Sequence, residues 1–210
     1  MDATIYMSAI AIIISYLLGS FPTAYLMGRL RKGIDIREVG TRNMGAMNVI
    51  YNVGMPEGIL VLFTDAIKGA AAVFLARWLG TPLEIQLAAG AIAVIGHAFP
   101  VFLKFHGGRG GATVVGVVVF LMPWVLVIGL PLFGLIMLIT RFPTFSYGLA
   151  LTCCPFIAWL IYHSAEYAIF SIILLLIPTI KYIPRIKEMR SHTGGNWRRV
   201  VLRRNLKDRF

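Results

Sequence analysis

Residues 106–111 read HGGRGG, four glycines around Arg109. Glycine lets a ligand approach the main chain closely and permits left-handed backbone angles. Successive N–H groups in such a run can face an anion, and a helix starting just beyond it adds its positive end. Arg109 contributes a planar fork suited to phosphate. The chemistry on offer is anion binding, with phosphate the group that such a loop and such a fork suit best. The same string also suits a tight turn, or close packing of membrane helices on small residues. A second stretch, GTRNMGAMN at residues 40–48, repeats the ingredients. It has Arg42, small hinges at Gly40, Gly45 and Ala46, and donors from Thr41, Asn43 and Asn48. Its competing reading is a solvated connection capped by asparagines.

Other reactive residue types are sparse. Asp65 and Lys68 stand three apart in an apolar run, a spacing at which helical side chains meet. Ionisable groups in such a setting are costly and are usually paired or functional. A structural bridge and a functional pair fit equally. His97, alone near the end of another apolar run, reads as a packing hydrogen bond. Cys153 and Cys154 are adjacent, lack metal-ligand spacing and would strain if bridged, so they read as space-filling. There is no G-x-S-x-G elbow, no H-E-x-x-H zinc helix and no G-x-x-x-x-G-K-[ST] loop. None of His97, His106, His163 or His192 is closely followed by an aspartate, as soluble-type glycerolipid acyltransferases require. The Asp-rich signature of CDP-alcohol phosphotransferases is missing too. No metal site and no cofactor are expected.

The elements that must hold these loops are set by hydrophobicity. Of 210 residues, 58% are hydrophobic and only 14% charged, too apolar for an ordinary soluble domain. Uncharged stretches of membrane-spanning length recur. The expectation is an all-α, polytopic membrane bundle forming one domain over residues 1–210. About seven spans can be drawn, at 4–27, 58–79, 83–103, 112–122, 124–140, 146–162 and 165–183. The fourth is short for a full crossing and either begins in the glycine loop or is re-entrant. The first stretch lacks a basic n-region and a clear cleavage site, and reads as a retained helix.

Charge orients the bundle. The net charge is +11. The cations cluster at Arg29–Arg42 and in the tail from Lys181 to Arg209, which positive-inside asymmetry assigns to the cytoplasm. An odd number of spans then puts the N-terminus outside and the C-terminus inside. Arg77 is an exception that Glu84 partly offsets. Lipid head groups account for the basic excess, and no nucleic-acid module is recognisable. The 31–56 loop, the segment around Arg109 and the tail all emerge on one face, so a cytoplasm-facing site is expected.

At four places the residues carry a family likeness. GSFPTAYLMGRL (19–30), KGIDIREVGTRNMGAMNV (32–49), DAIKG (65–69) and GHAFPVFLKFHGGRGGAT (96–113) resemble, in order and spacing, the motifs of the bacterial acyl-phosphate:glycerol-3-phosphate acyltransferases. The resemblance implies a seven-span enzyme of the bacterial cytoplasmic membrane. It would move a fatty acyl group from acyl phosphate to the sn-1 hydroxyl of glycerol 3-phosphate, giving lysophosphatidate and phosphate. Its expected partners are those two substrates and membrane lipids. Thr41, Asn43 and Arg109 are the catalytic candidates. Arg42, Asn48, His106, Gly107, Gly108, Gly110, Gly111 and Asn196 are the candidates for holding phosphate.

The likeness has departures. The family's GSGN-x-GATN appears with Thr41 for serine, Arg42 for glycine and Met47 for threonine. Tyr51 stands where an arginine is usual, and FHGGRG replaces F-KGGKG. In the tail Asn196, Arg199, Val200 and Val201 keep register. Thr193 takes a histidine position, with His192 one residue early, and Asn205 a glutamate position. These changes leave open a paralogue with another acceptor, or a non-catalytic binder of lipid phosphates. A small transporter is a third class, but few polar residues lie mid-span and no inverted repeat is visible.

Overall fold

The computed structural model describes residues 2–202. Arg203, Arg204, Asn205, Lys207 and Arg209 of the basic tail lie outside the described residues, as does Met1. Among the described residues the secondary structure is entirely helical. Eleven α-helices run α1 Asp2–Ser20, α2 Thr23–Lys32, α3 Ala46–Asn52, α4 Met55–Trp78, α5 Leu83–Ala98, α6 Gly111–Leu121, α7 Trp124–Thr140, α8 Pro143–Leu151, α9 Cys154–Leu160, α10 Ala165–His192 and α11 Trp197–Val201. A 3-10 turn, Val101–Leu103, follows α5. Among the described residues five helical segments are long and apolar enough to cross a membrane: Ala3–Lys32, Met55–Trp78, Leu83–Leu103, Pro143–Leu160 and Ala165–His192. Gly111–Leu121 and Trp124–Thr140 are apolar but shorter. The chain divides into two compact units, Met1–Leu121 and Met122–Phe210.

Two expected spans are interrupted. The 4–27 span breaks at Phe21–Pro22 between α1 and α2, and the 146–162 span breaks at Thr152–Cys153 between α8 and α9. The reason is proline in both cases. Pro22 and Pro155 lack an N–H, so the bond each would donate one turn back is missing and the ladder is interrupted, while Thr152 and Cys153 keep right-handed helical angles across the second break. The 83–103 span is helical only to Ala98 and ends in the 3-10 turn.

The first unit is built on backbone proximity. α1 packs against α5, and α4 against α6. A Cβ added to Gly19 would overlap the Ala93 carbonyl, and one on Gly116 would overlap the Ala66 carbonyl. Small residues dominate the buried faces, with Ala11, Ala72, Ala76, Ala89 and Ala93 fully enclosed. Large apolar side chains point outward instead, Phe63, Ile67 and Phe74 among them. That distribution suits lipid. Helices in a bilayer gain little from hiding large apolar groups from one another and associate through close fit.

In the second unit, polar seals close the helix turns. Thr140 Oγ1 donates to the Ile136 carbonyl (2.9 Å) and accepts the N–H of Phe142 (3.2 Å). Ser146 Oγ donates to the Phe142 carbonyl at 2.8 Å. Ser164 caps α10 by accepting the N–H of Tyr167 at 3.1 Å. Phe142, Met189 and Val200 form a buried cluster that anchors the short α11.

Gly116→Ala should lower the melting midpoint in detergent, by a loss of about 1–3 kcal/mol from overpacking against α4. Gly134→Ala, where an added Cβ meets nothing within 4 Å, should leave the midpoint unchanged or raise it through helix propensity. Thermal unfolding of the two variants side by side checks this.

Candidate active site

The loop joining α2 to α3 is built around one buried amide. Asn48, at the start of α3, accepts the N–H of Thr41 on Oδ1 (3.0 Å). Its Nδ2 donates to the carbonyls of Ile36 (2.8 Å) and Val39 (3.1 Å). Asn52 donates to the same Oδ1 at 2.9 Å. Asn48 thus gathers three turns of the loop while remaining 1% exposed. Its amide is engaged by the protein itself on both its oxygen and its nitrogen. Thr41 and Asn43 are half-buried beside it, and Arg42 is exposed. Arg42 has φ 53°, in the left-handed region. A non-glycine residue there is uncommon and carries strain.

An ion cluster clamps the entrance to this loop. The Asp35 carboxylate receives Arg37 Nη2 (2.7 Å) and Nε (3.0 Å), and Arg29 Nη2 lies 3.7 Å away. Both guanidinium groups lie over the Tyr25 ring, at 5.4 Å for Arg29 and 5.2 Å for Arg37. Arg37 also reaches the Leu103 carbonyl at 3.4 Å, tying the loop to the 3-10 turn. The hydrogen bonds from Arg37 hold the Asp35 carboxyl below its ordinary pKa. Sequence reading missed this cluster. Its only local signal is the Asp-x-Arg spacing of 35 and 37, and Tyr25 and Leu103 come from elsewhere in the chain.

The glycine loop lies directly against the first. After the 3-10 turn, Lys104 and Phe105 both take positive φ, at 51° and 61°. The exposed His106 has Nδ1 2.7 Å from the Lys104 carbonyl. The chain then folds back on the end of α5, where Gly108 N–H donates to the His97 carbonyl at 3.0 Å. Gly108 is buried, and an added Cβ would stand 2.9 Å from the Met44 main-chain oxygen. Gly107 is similarly enclosed by His97 and Pro100. Gly110, at φ 84°, turns the chain into α6, which begins at Gly111. Arg109 is half-buried between buried glycines.

The structure therefore places Thr41, Arg42, Asn43 and Asn48 in the same unit as His106 and Gly107–Gly111, with Met44 of the first loop against Gly108 of the second. Asn196 lies in the second unit, where its side chain caps α11 by accepting the Arg199 N–H (3.3 Å). Asp65 and Lys68 are paired at 2.9 Å, with His97 Nδ1 3.6 Å from the same carboxylate oxygen. Among the described residues no cluster of three or more histidine, cysteine, aspartate or glutamate side chains is arranged to hold a metal ion.

Two adjacent loops rich in glycine and arginine, on a helical membrane scaffold, are a setting for phosphorylated ligands. A family model described as glycerol-3-phosphate acyltransferase matches residues 9–192. The chain belongs to this family. Glycerol-3-phosphate acyltransferase 2 of Dehalococcoides mccartyi strain 195 is 49% identical over 99% of both chains. Glycerol-3-phosphate acyltransferase of Endomicrobium trichonymphae is 35% identical over 85% of this chain and 89% of its own. Among solved structures, PlsY (YgiH), an integral membrane glycerol 3-phosphate acyltransferase, is similar in two forms. Its glycerol 3-phosphate form superposes with a TM-score of 0.81 at 29% identity, covering 90% of this chain and 94% of that one. Its lysophosphatidic acid form gives 0.74 at 28% identity, covering 90% and 93%. The chain is thus a multi-pass membrane acyltransferase of phospholipid synthesis, as its family implies.

Two outcomes follow for the acyltransferase loop. Asn48→Ala strands the Thr41 N–H and two carbonyls, and should cost about 1–3 kcal/mol for each buried group left unmade. A fall in detergent melting midpoint, with activity lost in parallel, checks it. Asp35 has a depressed folded pKa, so its stabilisation is complete above the unfolded value and disappears as pH falls through the folded one. Asp35→Asn should melt earlier than the parent at pH 7, with the gap closing below about pH 4. A pH series of melting midpoints reads this out.

Proposed function

We propose that the chain transfers a fatty acyl group from acyl phosphate to the sn-1 hydroxyl of glycerol 3-phosphate. The hydroxyl oxygen attacks the acyl carbon, the carbon–oxygen bond to phosphate breaks, and the hydroxyl proton ends on the released phosphate. Lysophosphatidate and inorganic phosphate are the products. The observation that carries the reading is the contact of Gly108 with the Met44 carbonyl, which makes the two arginine-bearing loops one site. Acyl phosphate is already activated, so positioning and charge stabilisation supply the catalysis and no side-chain nucleophile is required.

In this reading Arg109 and the N–H groups of Gly107, Gly110 and Gly111 grip phosphate and the developing oxyanion, while Gly108, whose N–H is taken by the His97 carbonyl, sets the shape of the turn. Thr41 and Asn43 orient the acceptor hydroxyl by hydrogen bonding. Arg42 and His106 hold the acceptor phosphate, and Asn48 keeps the loop in shape. Residues 1–210 act as one integral-membrane domain with about seven spans. The N-terminus is outside, and the site and C-terminus face the cytoplasm. The distribution of Arg29, Arg31, Lys32, Arg37 and Arg42 beside the loop supports this orientation. The membrane is the bacterial cytoplasmic membrane, with lipids as the surrounding partners and no cofactor.

The strain at Arg42 favours asking about the acceptor as well. An exposed arginine held in the left-handed region is a reason to ask what its side chain does. It is the residue that would select an acceptor other than glycerol 3-phosphate.

The purified protein, supplied with acyl phosphate and glycerol 3-phosphate, should release phosphate and form lysophosphatidate. Absence of both products with a folded protein overturns the reading, and a screen of phosphorylated polyols then tests the other acceptors. Arg109→Ala should lower kcat/KM by about 10²–10³-fold, as loss of one oxyanion donor does. Arg109→Lys should retain most of it. Arg42→Gly should separate stability from function. The melting midpoint holds or rises as strain is relieved, while KM for glycerol 3-phosphate rises by about 10-fold with the lost charge-assisted contact.

A further inference from the structure

The buried pair Asp65–Lys68 touches no candidate substrate group, yet it sits where three parts of the first unit converge. Lys68 Nζ is 2.9 Å from Asp65 Oδ1 and donates to the Phe21 carbonyl at 3.2 Å. That carbonyl lies at the proline break between α1 and α2, where the helix ladder is interrupted. His97, near the end of α5, brings its Nδ1 to 3.6 Å from the same Asp65 oxygen. The side chains of Asp65, Lys68 and His97 are only 3%, 6% and 6% exposed. Groups so enclosed cannot part without stranding a charge, so the contact fixes α4 and α5 to the break.

His97 carries that fixity to the glycine loop through two faces. Its main-chain carbonyl accepts the Gly108 N–H at 3.0 Å. The Nε2 edge of its ring lies so close to Gly108 that an added Cβ would overlap it. One imidazole therefore has Asp65 on one edge and the turn preceding Arg109 on the other.

We propose that His97 is a positioning residue for the anion-gripping loop: Asp65, neutralised by Lys68, holds the imidazole, and the imidazole seats Gly107–Gly108 so that the adjoining N–H groups and Arg109 face the ligand. This rests on the acyl-transfer reading for its kinetic consequences but not for its structural one. His97 does not touch substrate. It acts by limiting where the loop can stand, and it explains why a membrane-buried carboxylate and ammonium are worth retaining without a transport path.

Two measurements on the full-length protein in detergent test it. Hydrogen exchange followed by mass spectrometry should show the 104–111 segment exchanging at least tenfold faster in His97→Ala, with α7 unchanged. Equal exchange in the two proteins overturns the proposal whether or not the protein transfers acyl groups. In the kinetic assay, His97→Ala should raise KM for acyl phosphate by about tenfold or more, and His97→Gln, which keeps a side-chain donor, should restore most of it. Gly108→Ala should lose at least a hundredfold in activity, and adding His97→Ala to it should recover about tenfold by removing the overlap. A general folding defect would make the double variant worse, so further loss in a monodisperse protein rejects the idea. A wild-type protein that shows the exchange effect but no acyl transfer would sink the activity reading alone.

Discussion

A main-chain carbonyl set against a glycine, repeated at several levels, is the contact on which the first unit depends. Ala93 meets Gly19, Thr113 meets Gly69, Ala66 meets Gly116 and Met44 meets Gly108. Each brings two backbones nearer than any side chain would allow. In water such closeness would be secondary to hydrophobic burial. In lipid, where the surroundings are as apolar as leucine, it is the main source of attraction. The three helix-packing contacts and the loop contact share this geometry. The site is therefore a continuation of the packing, made in the connecting segments instead of between helices.

Closeness of this kind leaves little room for correction, so the polar residues in the unit act as locks. Asn48 satisfies one N–H and two carbonyls that a tightly turned, buried loop would otherwise leave unmade. Lys68 takes the Phe21 carbonyl where Pro22 interrupts the helix. Arg37 joins its own loop to the Leu103 carbonyl beyond α5. In each case a side chain repairs the main chain at a place where regular structure stops. Broken helices and irregular backbone are tolerated at membrane depth only when freed groups are satisfied in this way.

Much of this was legible in residue types. Glycine and arginine at 40–48 and 106–111 marked two irregular loops, which the fold places against each other at Met44 and Gly108, and apolar runs marked the helices. The i, i+3 spacing of Asp65 and Lys68 announced their pairing, because helix geometry fixes which side chains meet. What stayed hidden depends on distance in space. Nothing near His97 in sequence points to Asp65, and nothing near Tyr25 points to Arg37. Asn48 was read as a ligand group because its amide is a good hydrogen bonder. Only the fold reveals that the loop's own backbone engages it. The breaks at Phe21–Pro22 and Thr152–Cys153 were half-visible. The prolines are plain, but a kinked helix and a broken one look alike until neighbouring groups claim the freed carbonyls.

The outward placement of Phe63, Ile67 and Phe74 over an alanine and glycine interior has a thermodynamic corollary. Hydrophobic association in water is recognised by a large heat-capacity change, because apolar surface leaves its hydration shell. Here the bulky groups rest among acyl tails whether the helices are together or apart. Separating α4 from α6 inside a bilayer exposes no such surface to water. The helix pairs should consequently associate with a heat-capacity change near zero, following one constant enthalpy with no tendency to loosen on chilling, a useful trait for an enzyme whose solvent stiffens in the cold.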